Sequence, residues 1–366
     1  MLVLTIFCFA LIGIQIIYLS LFLVAFLKSE KNTAKSVLPV SIIVCAHDEE
    51  HNLRELVPML LAQDHPEFEV IIVEDRCNDA TYDYLLAATK LEPRLKMVRV
   101  VHKPDHISGK KFALTLGIKA ARYDWVLLTD ADCRPSGNAW VSNMCAHMDD
   151  SAKIVLGFSP YIKSKGLLNA FIRFESFLTG IQFIGLAILG RPYMGVGRNL
   201  AYRKSLFLDN KGFNSHLGVT GGDDDLFVNQ HAVRANTKTC IGKESLMKSL
   251  PKTTWKEYYI QKLRHLAVGK YYKFSDKLIL GIFSLTWVLT WVIAMPLSFY
   301  SPLMQWILLA FLVRWILLIF LFHQASRKLG EPFEAWKAPL LDFIYAFYYL
   351  VTGPMALVSK KVRWKS

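Results

Sequence analysis

The N-terminal stretch of the chain carries no charge from Leu2 to Leu27. A helix needs about 20 apolar residues to cross a bilayer, so this stretch predicts a transmembrane helix over residues 1–27. A cleaved signal peptide is the alternative. The stretch lacks a basic start and is longer than the usual apolar part of such a peptide. We therefore favour a retained membrane span.

Positive charges follow this stretch at once, at Lys28, Lys31 and Lys35. Lysines and arginines flank membrane spans on the cytoplasmic side, so we expect the next domain to be cytoplasmic. The expected location is a membrane, the bacterial inner membrane in our interpretation. The net charge of +13 comes with no zinc-finger spacing, basic heptads or RNA-reading motif. Membrane lipids, and no nucleic acid, are the predicted partners of these charges.

The C-terminal region 277–358 is again apolar and predicts further membrane segments. Leu278–Met295 and Leu303–Phe322 are two candidate spans, and Leu340–Val358 is a third candidate. Thr352-Gly353-Pro354 is expected to break the third segment, which is then either a span or re-entrant. As a span it would place four basic residues outside, against the positive-inside rule; they are Lys360, Lys361, Arg363 and Lys365.

A single charge, Arg314, lies inside the second of these candidate spans. A charge at the centre of a bilayer costs at least ~2.5 kcal/mol. We therefore expect Arg314 to face protein, water or a headgroup, with Asp342 as a candidate partner. The six cysteines form no CxxC pair, which favours free thiols in a reducing compartment.

The middle region, 36–272, alternates short β-branched runs with helical patterns, which predicts an α/β domain. The sheet is expected to be mainly parallel, with ligands bound beyond the carboxyl ends of its strands. The predicted strands are Val40–Ala46, Val70–Val73, Met97–Val101 and Val126–Thr129. The predicted helices are Glu49–Leu61, Thr81–Lys90 and Lys110–Ala121. An apolar segment at 171–189 predicts either a domain helix or, as we favour, a helix in the membrane interface.

Two carboxylates follow the fourth predicted strand, in the sequence Asp130-Ala131-Asp132. Spaced in this way on a turn, they can converge on one hard cation, and Mg²⁺ and Mn²⁺ prefer such oxygen ligands. A solvated turn is the alternative, because Asp is common in turns. Acids also end the first and second strands, at Glu49 and Asp75, so three strand ends present acids at one edge of the sheet.

Two further patterns suggest phosphate binding and proton transfer. Ser108-Gly109-Lys110-Lys111 opens a predicted helix, where free N–H groups and Lys110 can hold a phosphate. Gly221-Gly222-Asp223-Asp224-Asp225 packs three acids together, and one of them can take a proton from a hydroxyl. Later, Gln261, Arg264 and His265 share one helical face. That face suits a diphosphate, a sugar or lipid headgroups.

The order of these motifs resembles the family-2 glycosyltransferases, which have the GT-A fold. The resemblance covers about 40–272 plus the flanking spans, and the ordered set is more specific than any one motif. The motifs are SIIVCAHDEE, VIIVEDRCND, SGKKFAL, WVLLTDADC, GVGRNLAYRK, GGDDDLF and QKLRH.

The resemblance implies a role for each candidate residue. Glu49 and Asp75 are expected to hold the nucleoside, and Lys110 to contact the donor phosphate. Asp130 and Asp132 match the family's DxD pair, with Asp132 the better candidate for direct metal ligation. Gly197, Arg198 and Asn199 match the family's stretch near the sugar pocket. Asp224 is the implied general base, or Asp223 in a shifted register. Gln261 and Arg264 are expected at the acceptor and diphosphate, and His265 replaces the family's Trp.

The function implied is an inverting transfer of a sugar from a nucleotide-diphosphate-sugar donor to a lipid or glycan acceptor, dependent on Mg²⁺ or Mn²⁺. A phosphosugar or nucleotidyl transferase on a similar sheet is an alternative that would not need the base at Asp223 or Asp224. A degenerate membrane scaffold or transporter subunit is a second alternative. A degenerate domain is expected to lose acidic motifs, and this chain keeps all of them.

Overall fold

The computed structural model describes residues 2–29 and 38–358. Lys31 and Lys35, which predict a cytoplasmic domain, lie outside the described residues, as do the basic residues after position 358. The chain divides into two compact units. The sheet unit comprises residues 38–162 and 186–251, and the helical unit comprises residues 2–29, 163–185 and 252–358.

Strands and helices alternate through the first half of the chain, and helices dominate the second half. The strands are β1 (Val40–Ala46), β2 (Phe68–Asp75), β3 (Leu95–Val100), β4 (Trp125–Asp130), β5 (Cys133–Pro135), β6 (Ile154–Gly157), β7 (Leu200–Arg203), β8 (Thr237–Cys240) and β9 (Met247–Ser249). The helices are α1 (Leu2–Lys28), α2 (Glu50–Leu61), α3 (Thr81–Leu91), α4 (Gly109–Ala120), α5 (Trp140–Cys145), α6 (Leu167–Ile188), α7 (Lys204–Asp209), α8 (Asp225–His231), α9 (Trp255–Val268), α10 (Phe274–Leu289), α11 (Met295–Ser298), α12 (Met304–Leu329) and α13 (Ala338–Val358).

The sheet unit contains a seven-stranded sheet in the order β3-β2-β1-β4-β7-β6-β8. Its first four strands are parallel, as the alternation of strands and helices predicts. The fifth strand in this order, β7, runs antiparallel to both of its neighbours. The predicted, mainly parallel α/β sheet is therefore confirmed. A separate two-stranded sheet pairs β5 with β9.

Helix α4 packs closely on the parallel part of this sheet. A Cβ atom at Gly117 would lie 2.8 Å from methyl groups of both Ile43 and Val73. Only glycine allows α4 to approach β1 and β2 this closely, since real Cβ contacts are longer. This approach fixes where the first turn of α4 meets the carboxyl edge of the sheet.

Five helices of the described residues are long and apolar enough to cross a membrane: Val3–Lys28, Leu167–Ile188, Phe274–Ser298, Met304–Leu329 and Ala335–Val358. The predicted membrane segments at both ends of the chain therefore form helices, consistent with a membrane protein. The third of these segments, Phe274–Ser298, has a π-helical stretch at Thr290–Ala294 between α10 and α11.

Helix α1 runs antiparallel to α10 and α11 within the helical unit. Tyr18 donates to the carbonyl of Ile279 at 2.9 Å, and Gln15 donates to Thr286 at 2.6 Å. Further along, the hydroxyl of Thr5 lies 2.8 Å from that of Ser301. The residue numbers of these partners rise as those in α1 fall, which shows the antiparallel direction. Polar groups of α1 are thus hydrogen-bonded by residues much later in the chain.

The charge inside the second C-terminal span is paired as expected. Arg314 Nη1 and Nη2 bond Asp342 Oδ2 and Oδ1 at 2.6 and 3.0 Å, and both residues are fully buried. The guanidinium also lies 4.7 Å from the ring centroid of Trp287. The pair joins α12 to α13.

Helix α6 covers the predicted segment 171–189, and its charges are buried in ion pairs. Arg173 bonds Glu331 at 3.0 Å, and Glu175 contacts Lys262 and accepts from Tyr258 at 2.9 Å. Location in the membrane interface stays a prediction for this helix.

The expected break at Thr352-Gly353-Pro354 is wrong, because α13 continues through it to Val358. Thr352 donates its hydroxyl to the carbonyl of Tyr348, four residues earlier, at 2.9 Å. The carbonyl that Pro354 leaves without an N–H donor is that of Leu350, and membrane helices tolerate proline within their length. The span or re-entrant character of α13 stays a prediction.

Candidate active site

Three parallel strands place acids at one edge of the sheet. In the register of β1 and β4, Cys45 lies opposite Asp130, and in that of β1 and β2, Ala46 lies opposite Glu74. The turns that leave β1, β2 and β4 therefore begin at the same level. This is the edge at which open parallel sheets bind ligands.

Lys110 joins two acidic motifs that are far apart in sequence. Its Nζ lies 3.0 Å from Asp130 Oδ1 and 3.3 Å from Asp223 Oδ2. Burial disfavours the ammonium, but Asp130 and Asp223 outweigh that effect and raise the pKa of Lys110 well above its ordinary value. The predicted phosphate contact, DxD motif and acidic cluster thus meet in one place.

A small recess of the sheet unit opens at this ion pair. Its lining includes Cys45, Lys110, Thr129, Asp130, Gly197 and Asp223. The carboxylate of Asp130 is 30% exposed and that of Asp223 is 8% exposed. The recess is therefore polar on one side, with charge that a small ligand or cation can reach.

The acidic cluster begins with a reversal of the chain at two glycines. Gly221 and Gly222 have φ angles of +82° and +78°, which side chains disfavour. Asp224 then caps α8, because its carboxylate accepts from the N–H of Asp225 at 2.8 Å. The same carboxylate accepts from the N–H of Gly197 at 2.7 Å. Burial, and then the neighbouring charge of Asp223, raise the pKa of Asp224.

The side chains of Asp130 and Asp132 offer carboxylate oxygens at the exit of β4, and this donor set fits Mg²⁺ or Mn²⁺. Asp132 is half-buried and Cys133 Sγ lies 3.6 Å from its Oδ1. Across the described residues 2–29 and 38–358, one group of three side chains, Asp48, Cys77 and Asp79, brings a possible metal-ligand atom from each within 4.8 Å of the other two. Backbone N–H groups at 2.6–3.4 Å bond both of those acids, so this group forms a turn.

Of the two predicted nucleoside contacts, Asp75 lies beside the start of α4, and Glu49 lies at the start of α2. The carboxylate of Asp75 accepts two bonds from Arg76, at 2.7 and 3.1 Å. A Cβ at Gly109 would lie 2.8 Å from Arg76 Nη2, so the first turn of α4 touches this pair. Glu49 accepts from Asn52 at 2.6 Å. The structure places Asp75 beside the first turn of α4, paired with Arg76.

Asn199 is fully buried and its side chain is committed to protein bonds. Its Nδ2 donates to the carbonyls of Phe158 and Ser245, both at 2.8 Å, and its Oδ1 accepts from Trp140 at 3.0 Å. A side-chain contact between Asn199 and a donor sugar would break these bonds. Asn199 therefore holds the segment that carries Gly197 and Arg198.

Arg198 lies in the Gly197-Arg198-Asn199 stretch that the resemblance places near the sugar pocket. Its guanidinium lies 4.6 Å from the ring centroid of Tyr161 and its charge interacts with those of Asp132 and Asp130. Its Nη1 is buried and has no hydrogen-bond partner within the described part of the chain. Buried donors of this kind are rare without a ligand or water. The sequence motif places Arg198 near the sugar pocket but gives it no role of its own.

Gln261, Arg264 and His265 lie on α9 in the helical unit, on a helix that Lys262 and Tyr258 tie to Glu175. Gln261 Oε1 is buried and unbonded within residues 2–29 and 38–358. The expected contacts of these three residues with diphosphate and acceptor stay predictions.

The sheet unit contains most of the region that is similar to a known protein family. The model of the family described as "Glycosyl transferase family 2" matches residues 41–209. The chain is 29% identical over 185 residues to the probable glycosyltransferase YdaM of Bacillus subtilis, covering 48% of this chain and 43% of that protein. It is 28% identical over 102 residues to a poly-beta-1,6-N-acetyl-D-glucosamine synthase of Staphylococcus epidermidis, covering 28% of this chain and 24% of that one. The chain thus spans less than half of the length of these curated relatives.

A solved structure matches nearly the whole chain. The mannosyltransferase PcManGT of Pyrobaculum calidifontis, in complex with GDP-Man and Mn²⁺, superposes with a TM-score of 0.65 at 16% identity. The match covers 98% of this chain and 99% of that protein. At this identity the likeness concerns the fold. The GT-A-type sheet and the ordered motifs agree with the match of residues 41–209 to the glycosyl transferase family 2 model.

Proposed function

We propose that this chain is an inverting, metal-dependent glycosyltransferase. It transfers a sugar from a nucleotide-diphosphate-sugar donor to a lipid or glycan acceptor at a membrane, with its sheet unit in the cytoplasm of a bacterial cell. The observation that carries the proposal is the position of Lys110. Its ammonium lies within 3.0 Å of Asp130 and 3.3 Å of Asp223.

This position suits transfer from a diphosphate donor. A leaving diphosphate gains negative charge, and cationic groups beside it lower the barrier. Lys110 at the start of α4 supplies one such group, and the N–H groups of that first helical turn supply partial positive charge. We propose that Arg198 Nη1 supplies a further donor, since it has no partner among the described residues. Donor binding would release Lys110 from at least one of its two carboxylates.

The metal fits the acids at the exit of β4. Asp130 and Asp132 would hold it, with Asp132 as the direct ligand, and it would supply charge that neutralises the diphosphate. PcManGT contains Mn²⁺ together with GDP-Man, which supports the same pairing of metal and nucleotide sugar for this chain.

Asp224 is the proposed general base and Asp223 is the alternative. A base works best when its pKa lies near the working pH, and burial raises the pKa of Asp224. The base would take the proton of the acceptor hydroxyl while that oxygen attacks the anomeric carbon. Asp223 contacts Lys110 instead, which favours a role in orienting the lysine. In this proposal Glu49 and Asp75 contact the nucleoside, and Gln261, Arg264 and His265 of α9 serve the acceptor and diphosphate.

A donor screen tests the proposal. The full chain, purified in detergent, is given UDP- and GDP-linked sugars with Mn²⁺, with Mg²⁺ or with a chelator, and release of nucleoside diphosphate is measured. We expect metal-dependent release from at least one donor. Asp132→Ala and Asp224→Ala should each lower the rate by about 10²–10⁴-fold, the usual worth of an electrostatic or acid–base group.

Asp150→Ala is the matched control, because Asp150 is an exposed acid of the same unit. It should retain the full rate. Release that survives the chelator would contradict the metal role. Full activity of both site variants would contradict the assigned residues. No release from any donor, with water or with added membrane lipids and glycans as acceptor, would overturn the function itself.

A further inference from the structure

Two neighbouring lysines of α4 reach different partners. Successive residues of a helix point about 100° apart, so Lys110 faces the acids of the recess while Lys111 faces elsewhere. Lys111 is fully buried, with 0% of its surface exposed. The proposed chemistry uses Lys110 and gives Lys111 no part, so a buried ammonium remains to be explained.

The ammonium of Lys111 bonds the backbone of a distant segment. Its Nζ donates to the carbonyl of His216 at 2.5 Å and to that of Val219 at 2.8 Å. The N–H of Val219 also donates to the His216 carbonyl at 3.1 Å, so the chain turns around the ammonium. Both bonds go to backbone carbonyls, so Lys111 fixes the position of the backbone between His216 and Val219.

The first half of the segment between α7 and α8 has anchors of its own. Phe213 is buried beside the rings of Phe207 and Phe227, and Ser215 donates to Gln230 at 2.8 Å. After the short helical turn Asn214–His216, residues 217–221 are half-buried or exposed. This second half has little apolar burial, so it depends on specific polar bonds for its position.

This segment leads directly to the acid pair. Val219 precedes Asp223 by only Thr220, Gly221 and Gly222, and the two glycines have positive φ angles. Asp223 then meets Lys110, and Asp224 accepts from Gly197. Lys111 therefore fixes the chain on one side of the acids, and helix α8 fixes it on the other.

Stability alone does not account for a lysine at this place. Burying an ammonium is costly even with two carbonyl partners, and burial lowers the pKa of Lys111 to about 8. Methionine would fill a similar volume without a charge, and replacing a buried charged network with apolar groups is often neutral or stabilising. Methionine would lose the two hydrogen bonds to the carbonyls of His216 and Val219.

We infer that Lys111 is a positioning residue that holds the segment 214–222, and through it the acid pair Asp223–Asp224, in the geometry needed for the chemical step. The inference rests on the proposed function. Displacement of a reacting group by about 1 Å can cost about 10²-fold in rate. Loss of Lys111 should therefore slow catalysis while leaving the nucleotide contacts in place.

Lys111→Met tests this, with Lys204→Met as the matched control. Lys204 makes the same type of bond, because its Nζ donates to the carbonyls of Lys119 at 3.0 Å and Ala121 at 2.6 Å. It lies at the other end of α4, on the far side from the acids. Lys111→Gln, which keeps one amide donor, is the second variant and covers a failure of Lys111→Met to fold.

Two measurements separate positioning from general stability. In steady-state kinetics with a donor that the enzyme turns over, Lys111→Met should lower kcat at least tenfold and change the donor KM less than twofold. The kcat of Lys111→Gln should be intermediate, and that of Lys204→Met should match the wild type. In hydrogen exchange, amides of residues 214–222 should exchange at least tenfold faster in Lys111→Met, with the amides of α4 unchanged.

Hydrogen exchange tests Lys111 even where no donor is turned over, so failure of the proposed function is distinguishable from failure of this inference. Unchanged exchange at 214–222 in a folded variant would overturn the inference. So would a kcat loss that Lys204→Met reproduces, or a rise in donor KM equal to the fall in kcat.

Discussion

Breaking the ion pair between Arg314 and Asp342 should destabilise the helical unit severely. Both side chains are fully buried, and two bonds of 2.6 and 3.0 Å join them. Asp342→Leu would leave the Arg314 guanidinium buried with only the ring of Trp287 beside it. Removing one partner of a buried pair costs about 3–5 kcal/mol, because the other charge is left without compensation.

A second route gives a compatible magnitude. An arginine at the centre of a membrane helix costs at least ~2.5 kcal/mol on insertion scales, which sets a lower bound if no new partner is found. For a unit of about 150–250 residues, each kcal/mol lowers Tm by about 2–4 °C. The expected fall in Tm for Asp342→Leu is therefore about 6–20 °C.

Thermal unfolding in detergent, followed by tryptophan fluorescence, measures this shift. The double variant Arg314→Leu/Asp342→Leu removes both charges and should recover most of the loss, because apolar replacements of buried pairs are often neutral or stabilising. Arg327→Leu is the control, since Arg327 is an exposed charge near the end of the same helix. A loss below about 1 kcal/mol for Asp342→Leu, or a double variant as unstable as the single one, would refute the reasoning.

Three further predictions concern the sheet unit. Gly117→Ala should lower Tm, because overpacking costs about 1–3 kcal/mol against a gain of at most ~1 kcal/mol in helix propensity, whereas Gly218→Ala, where a Cβ meets nothing within 4 Å, should not. The pKa of Lys111 is about 8 in the folded protein and 10.5 in the unfolded chain, so the unfolded chain holds more protons between these two pH values. The difference in unfolding free energy between the wild type and Lys111→Met should therefore shift in favour of the wild type from about pH 8 to about pH 10.5. A difference that stays constant over this range in chemical denaturation would contradict the prediction. Arg198→Gln should raise the donor KM about 10-fold to 100-fold, because a charge-assisted bond is worth about 1.5–3 kcal/mol, and an unchanged KM would remove Arg198 from the site.

The parallel half of the sheet was predictable because its strands are continuous apolar runs between helices. Strand β1 occupies the predicted residues, and β2, β3 and β4 differ from the predicted strands by one or two residues at their ends. Strands β6, β7 and β8 were not predicted. They are four residues long, and β8 (Thr-Lys-Thr-Cys) has no apolar run. Their pairing depends on neighbours far away in sequence.

The candidate site was predictable as far as local motifs reach. The sequence shows acids at strand ends and a lysine at a helix start, and the structure brings Lys110, Asp130 and Asp223 together. The sequence does not show which neighbours occupy a side chain. Asn199 is held by Trp140 and Ser245, and Lys111 by carbonyls about a hundred residues later, so their roles became visible only with the fold.

The long separation between α1 and its partners has a consequence for biosynthesis. Gln15 bonds Thr286, which follows it by 271 positions. At a translation rate of about 5–20 residues per second, the ribosome reaches that threonine roughly 15–55 s after the glutamine. During that interval the amide of Gln15 lacks its hydroxyl partner and has to bond another group, such as a lipid, a water molecule or an insertion chaperone.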